Sequence, residues 1–160
     1  MSMSEKEFLA NYRVRDFDAP LMTVDMAIFA IMENRLQVLL IKRADYPQKG
    51  EWALPGGFIN LATDPTLLAT AHRKLFEKTG ISSPYLEQVS TVGNATRDPR
   101  GWSVTALYFA LINFDAFHQQ ESQRFEHCEW VEICKAKSGH LALDHQLLLD
   151  AALVRLINKT

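Results

Sequence analysis

The order of apolar patterns along this chain predicts an α/β sandwich built on a central mixed sheet. Three observations carry that expectation. A β-branched, apolar stretch over Val24–Met32 turns back at Glu33-Asn34-Arg35 and returns over Leu36–Arg43, in the manner of a hairpin. A helical pattern follows, with Leu67, Ala71 and Leu75 on one line. A second apolar helix runs from Asp144 towards the last residue.

Each element has a local reason. Residues 1–20 are charged and end in Asp-Phe-Asp-Ala-Pro, which reads as an N-terminal arm or loop ahead of one domain over 21–160. The hairpin alternates weakly, so both of its faces are expected to be covered. The loop Ala44–Glu51 holds Pro47 and Gly50, and Trp52-Ala53-Leu54 resumes strand character before Pro55-Gly56-Gly57. Asp64-Pro65 predicts a helix over Asp64–Thr79, with Asp capping free amides and Pro at the first position. Gly80 is suited to end it. Strands are expected at Gln88–Gly93, Ser103–Ile112 and Phe125–Val131. In the last helix Leu147, Leu148, Ala151, Leu153, Val154, Leu156 and Ile157 supply the apolar surface.

Composition narrows the function classes. A chain of 160 residues with 48% hydrophobic and 22% charged residues supports one soluble domain with one core. The net charge of -2 gives the chain no global electrostatic reason to bind DNA by itself. No apolar run reaches transmembrane length, and residues 1–11 lack a secretory signal, so no membrane partner is expected. Cys128 and Cys134 read as reduced thiols, which suits a cytoplasmic protein. His140 and His145 have no carboxylate company at metal-ligand spacing and read as ordinary surface or core residues. No Gly-x-Ser-x-Gly or cysteine–histidine arrangement supports covalent catalysis. Trp130 reads as core or interface.

The segment Trp52-Ala53-Leu54-Pro55-Gly56-Gly57-Phe58, followed by Arg73, Leu75, Glu77, Gly80 and Ile81, resembles the Nudix box. Aligned backward from Gly80, the family's other two helix carboxylates fall on Lys74 and Lys78. The earlier glutamate falls on Pro65, across a loop two residues too long. Positions 74, 77 and 78 share one helix face. Three carboxylates there would hold Mg²⁺ at −3, whereas this face carries +1. Ammonium groups repel a divalent cation, so no metal site and no catalytic residue is expected. By themselves the two lysines would pass for a solvated helix face. Beside a Gly-Gly turn they suggest a cationic stand-in for the metal against a diphosphate.

A second motif, Arg97-Asp98-Pro99-Arg100-Gly101-Trp102, sits in a turn between two expected strands. Arginine forks match phosphates, and an indole or guanidinium can stack on a base. Following a degenerate box, Arg-Asp-Pro-Arg-Gly-x-x-Val is similar to the ADP-ribose branch of the family. It resembles especially the Nudix-related transcriptional regulators of NAD metabolism, the NrtR group. The resemblance covers about residues 22–157, including Val24–Phe29 and Leu141–His145.

That resemblance implies an α/β/α Nudix sandwich whose effector is ADP-ribose, with no cofactor. It implies a homodimer, and DNA binding only through a C-terminal winged helix-turn-helix domain that this sequence does not contain. On that reading Gly56, Gly57 and Phe58 form the turn over the ligand. Arg43, Arg97 and Arg100, with Asp98 between the last two, are candidates for the phosphates. Trp52 or Trp102 is the candidate stacking surface. Arg73 with Glu77 is equally an ion pair locking helix to loop. The competing expectation is an active, Mg-dependent ADP-ribose pyrophosphatase drawing metal to Asp64 or Glu77.

Overall fold

The structure is a computed structural model and describes residues 2–82, 84–117 and 127–159. The long strand β1 (Leu21–Met32) folds back into β2 (Arg35–Lys42), with Met32 opposite Arg35. Glu33 and Asn34 take positive φ at the turn, as a two-residue hairpin loop requires. Two short strands, β3 (Trp52–Ala53) and β4 (Gly56–Phe58), pair with β2 and β1. Helix α2 (Leu67–Thr79) follows an N-terminal α1 (Glu5–Asn11) by more than 50 residues and precedes β5 (Glu87–Asn94). The chain continues through β6 (Ser103–Ile112), α3 (Phe114–Phe117), β7 (Cys128–Glu132), α4 (Ile133–Ser138) and α5 (His145–Lys159).

Among the described residues seven strands make one mixed sheet in the order β3-β2-β1-β6-β5, with β4 joined to β1 and β7 to β2. β1 and β6 run parallel, and the other pairings are antiparallel. Side chains alternate across a strand. Ala27 and Phe29 therefore face one side with Leu107, Leu148 and Leu149, beneath α5. Val24, Met26, Ile28 and Ala30 face the other with Ala71, Leu75 and Ala106, beneath α2. Helices cover both faces, which accounts for the weak alternation of β1. Each fully buried Leu or Phe in these layers stabilises by about 1.5–3 kcal/mol. No helix among the described residues is long and apolar enough to cross a membrane.

The fold corrects three local expectations. Helix α2 begins at Leu67, not at Asp64; Thr66 is its cap and its hydroxyl accepts the Ala69 N–H at 3.0 Å. Asp64 lies outside the helix because its carboxylate is engaged by Arg73, Thr70 and the Asn60 N–H. Part of the segment expected as an arm or loop is helical, over Glu5–Asn11: the Ser4 hydroxyl accepts the Glu7 N–H, and Glu5 and Glu7 in the first turn suit the dipole of α1. The strand expected over Phe125–Val131 covers Cys128–Glu132, with residues 125 and 126 outside the described set. The sequence reading did not anticipate α3 and α4. Gly80, at φ 80°, ends α2 as expected.

Candidate functional site

A cavity of about 220 Å³ opens at one end of the sheet. Its floor is built by Asp25 of β1, Leu54, Arg97 and His145, the first residue of α5. One wall is the loop after β2, with Arg43 and Tyr46. The others are the Gly56–Phe58 strand, Lys74 and Lys78 of α2, and Asp98 and Arg100 from the β5–β6 turn.

Gly56, Gly57 and Phe58, expected to form a turn, instead make strand β4 paired with β1, and the two glycines are needed there for different reasons. A Cβ on Gly56 would stand 2.3 Å from the Val24 carbonyl oxygen and 2.4 Å from Asp25 Oδ1, so strand pairing excludes a side chain there. A Cβ on Gly57 would stand 2.6 Å from Lys74 Cε. The space over Gly57 is occupied by the lysine stem.

The floor is a buried polar network. Arg97 is 7% exposed, Asp25 6% and His145 3%. Arg97 donates Nε and Nη2 to Asp144 at 2.9 Å each, and Nη1 to the Ser103 hydroxyl at 2.8 Å. Its Nη2 also lies 3.7 Å from Asp25 Oδ2, and the same carboxylate accepts the Thr105 hydroxyl at 2.6 Å. His145 Nδ1 accepts the Leu54 N–H at 3.0 Å, so the proton of the neutral ring belongs on Nε2, 3.5 Å from Asp25 Oδ1. Burial pushes the His145 pKa down, against the opposing pull of Asp25 and Asp144. Buried ions of this kind need such partners, because an unpaired one is costly.

A second network braces the rim. Arg73 donates Nε and Nη2 to Asp64 at 2.8 and 2.7 Å, Nη1 to Glu77 at 3.0 Å, and Nη2 to the Phe58 carbonyl at 3.0 Å. The hydrogen bond from Arg73 holds the Asp64 carboxyl far below the usual range, and Asp64 in turn raises the arginine. Lys74 Nζ lies 3.3 Å from Glu77 Oε2. On the opposite wall Arg100 donates Nε and Nη2 to Asp98 at 3.1 and 2.7 Å, which lowers the Asp98 pKa. Arg43 donates Nε to the Pro47 carbonyl at 2.7 Å and makes no ion pair among the described residues.

These donors do not fit Mg²⁺, which favours oxygen ligands in near-octahedral geometry. The helix face at the cavity offers ammonium groups, while Asp64, Glu77, Asp25 and Asp98 are each engaged by arginine. Among the described residues no three His, Cys, Asp or Glu side chains are grouped to hold a metal ion. What the arrangement offers is a cleft with a small aromatic wall in which Arg43, Lys74, Lys78, Arg97 and Arg100 outnumber the carboxylates Asp25, Asp45 and Asp98.

Residues 22–151 match the family described as NUDIX domain. This chain belongs to the NUDIX family. The NUDIX chain is 62% identical over 157 residues to the "ADPR responsive transcriptional repressor NtrR" of Acinetobacter baylyi, covering 98% of itself and 62% of that protein. It thus spans less than two thirds of the relative's length. The NUDIX domain of Shewanella oneidensis NrtR, solved in complex with ADP ribose, superposes with a TM-score of 0.88 at 44% identity, covering 96% of this chain and 99% of that one. An ADP-ribose pyrophosphatase of Methanocaldococcus jannaschii is 32% identical over 83 residues, 52% of this chain and 48% of that protein.

Within this NUDIX domain the structure gathers Arg43, Gly56, Gly57, Phe58, Lys74, Lys78, Arg97, Asp98 and Arg100 around one cavity. Arg73, Glu77, Trp52 and Trp102 do not line it. Trp52 packs on the α5-side core with its ring 5.4 Å from His127, because its strand pairs with Lys42 at the sheet edge. Trp102 is exposed and its ring lies against Gly93. The aromatic residues at the cavity are Phe58 and Tyr46. Arg97 reaches the floor with its guanidinium already surrounded, which leaves Arg43 as the less committed fork. Trp130 packs on the α2-side core.

Sequence reasoning missed Asp25, His145 and Tyr46 as cavity residues. For Asp25 a signal existed: one carboxylate inside an otherwise apolar strand must find buried partners. Tyr46 carried none, since only tertiary folding brings its loop to the cleft.

Proposed function

We propose that this NUDIX domain is the ADP-ribose-sensing part of a transcriptional regulator of NAD metabolism, and that it binds its ligand without hydrolysing it. The observation that carries the reading is the pair of lysines, Lys74 and Lys78, lining the cavity beside Gly57. Cations there favour a diphosphate and disfavour the metal that would activate it. Support also comes from two relatives: the Acinetobacter protein is described as an ADPR-responsive repressor, and the Shewanella domain was solved with ADP ribose. Arg43 and Lys74 are the proposed diphosphate contacts. No metal or organic cofactor takes part. The regulator works in the cytoplasm as a homodimer, with DNA contacted by a separate domain. By linkage, ADP-ribose acts by binding one arrangement of that dimer more tightly than the other.

The test is a thermal-shift titration with ADP-ribose followed by product analysis in Mg²⁺. A ligand at a hundredfold excess over Kd stabilises by about 2.7 kcal/mol, so a clear rise in Tm is expected. The ADP-ribose should be recovered intact. No shift would point to a pure interaction module. Release of AMP at an ordinary enzymatic rate would establish a pyrophosphatase instead.

A further inference from the structure

We propose that the Phe58 ring and the Arg100 guanidinium together form the surface on which the base of a nucleoside diphosphate ligand stacks, leaving the phosphates to Arg43 and Lys74. This rests on the ADP-ribose reading above and divides the cavity into two chemically different ends.

Arg100 is nominally a phosphate ligand. Its surroundings argue otherwise. Nε and Nη2 both donate to Asp98, and the Arg100 backbone N–H donates to Asp98 Oδ1 at 2.9 Å. The Asp98 side chain is 2% exposed, so turning Arg100 towards a phosphate would strand a buried carboxylate. The pair is close to neutral as it stands. What it still presents is a flat, weakly hydrated guanidinium face.

That face is braced. Arg100 Cζ lies over the Phe58 ring, 5.0 Å from its centroid, within cation–π range. Phe58 is 41% exposed and the Arg100 side chain 37%, so the layer retains open surface at the cavity. The two residues come from β4 and the β5–β6 turn, and each is held from behind. The Phe58 carbonyl accepts from Arg73, and Arg100 is fixed by Asp98. Tyr46, the other aromatic at the cavity, is 81% exposed on a loop, and the cation over its ring is Lys49, whose Nζ lies 5.8 Å from the centroid and offers no plane for a base.

The Gly57–Phe58 segment of β4 then separates the two ends. On the Gly57 side runs the Lys74 stem, with Nζ 3.2 Å from where a Cβ would be. On the Phe58 side lies the stacking layer. A base on that layer has its phosphates next to the lysine rather than next to Arg100.

The experiment uses the unsubstituted protein, Phe58→Leu, Arg100→Lys and Arg43→Met, each first checked for a cooperative thermal transition. With unsubstituted isotope-labelled protein, intermolecular NOEs are expected between adenine H2 or H8 and the Phe58 ring protons. By calorimetry Phe58→Leu and Arg100→Lys should each weaken ADP-ribose about tenfold, the scale of one base–aromatic stack. Arg100→Lys keeps the charge and loses the plane, so its loss reports stacking even where Phe58→Leu misfolds. Arg43→Met should weaken binding while preserving the NOEs at saturating ligand. NOEs to Phe58 from ribose protons alone, or unchanged affinity in Arg100→Lys, would overturn the assignment while leaving ADP-ribose binding intact. Failure of the unsubstituted protein to bind ADP-ribose at all would instead remove the sensor reading, and this inference with it.

Discussion

Arg73, just outside the cavity lining, and Arg97, on its floor, are two arginines each gripped by carboxylates, the first by Asp64 and Glu77 close by in the chain and the second by Asp25 and Asp144 far from it, and they do different work. Arg73 stands at the rim with its side chain 24% exposed and spreads its donors over Asp64, Glu77 and the Phe58 carbonyl. Arg97 stands in the interior with its side chain 3% exposed, between Asp144, Ser103 and Asp25. Water can replace part of what Arg73 supplies. Nothing replaces Arg97. The rim arginine holds the loop over 59–66 against α2, whereas the interior one ties β1, the β5–β6 turn and the start of α5 into one floor.

The largest effect that separates them is Arg97→Met. It leaves Asp144 and Asp25 without their cation, and breaking a buried ion pair in this way costs about 3–5 kcal/mol. Urea unfolding should register that loss in full. Arg73→Met should cost clearly less, and hydrogen exchange should quicken mainly over 59–66. Equal losses would show that burial is not what distinguishes the two networks.

Acid should separate them next. His145 is held below its ordinary 6.5 by burial, with Asp25 and Asp144 pulling up and Arg97 and Arg43 pushing down. The unfolded chain therefore takes up that proton first. The contribution is complete above pH 6.5 and is lost as pH falls through the lowered folded value. Asp64, lowered from 3.8 chiefly by Arg73, keeps its contribution until the pH drops below 3.8 and towards its folded value. Stability measured against pH should fall in two limbs, the interior before the rim. His145→Gln should flatten the first limb only.

The smallest effect sharpens the rim. Thr66→Ala removes the cap of α2 at about 1 kcal/mol without touching either arginine. A loss much above that would mean that the loop and helix unfold as one unit with the Arg73 network.

Much of this architecture was legible in the residues, for identifiable reasons. β6 was bounded correctly at Ser103–Ile112 because its apolar run ends at turn residues on both sides. Gly80 marked the end of α2 because few other residues adopt that left-handed turn cheaply. The start of the helix misled, since Asp64-Pro65 has the form of a cap and first residue while Arg73, nine residues on, claims the carboxylate. The lysines and glycines of the cavity followed from a motif. The tryptophans did not, because an indole's partner is a matter of tertiary packing. His145 looked ordinary, and it is a satisfied core residue; its place on the floor depends on where α5 begins relative to β1.

Gly57 has a consequence for how the site can be tuned. The atoms that a methyl group there would meet belong to the flexible end of Lys74, not to backbone, so the chain can yield by moving the lysine. Gly57→Ala should leave the fold nearly intact while displacing the ammonium, in contrast with Gly56→Ala, which collides with the Val24 carbonyl. Affinity for an anion can then drift through a position that bears no charge, with the lysine itself untouched. A change that adds one carbon to a strand becomes a dial on electrostatics.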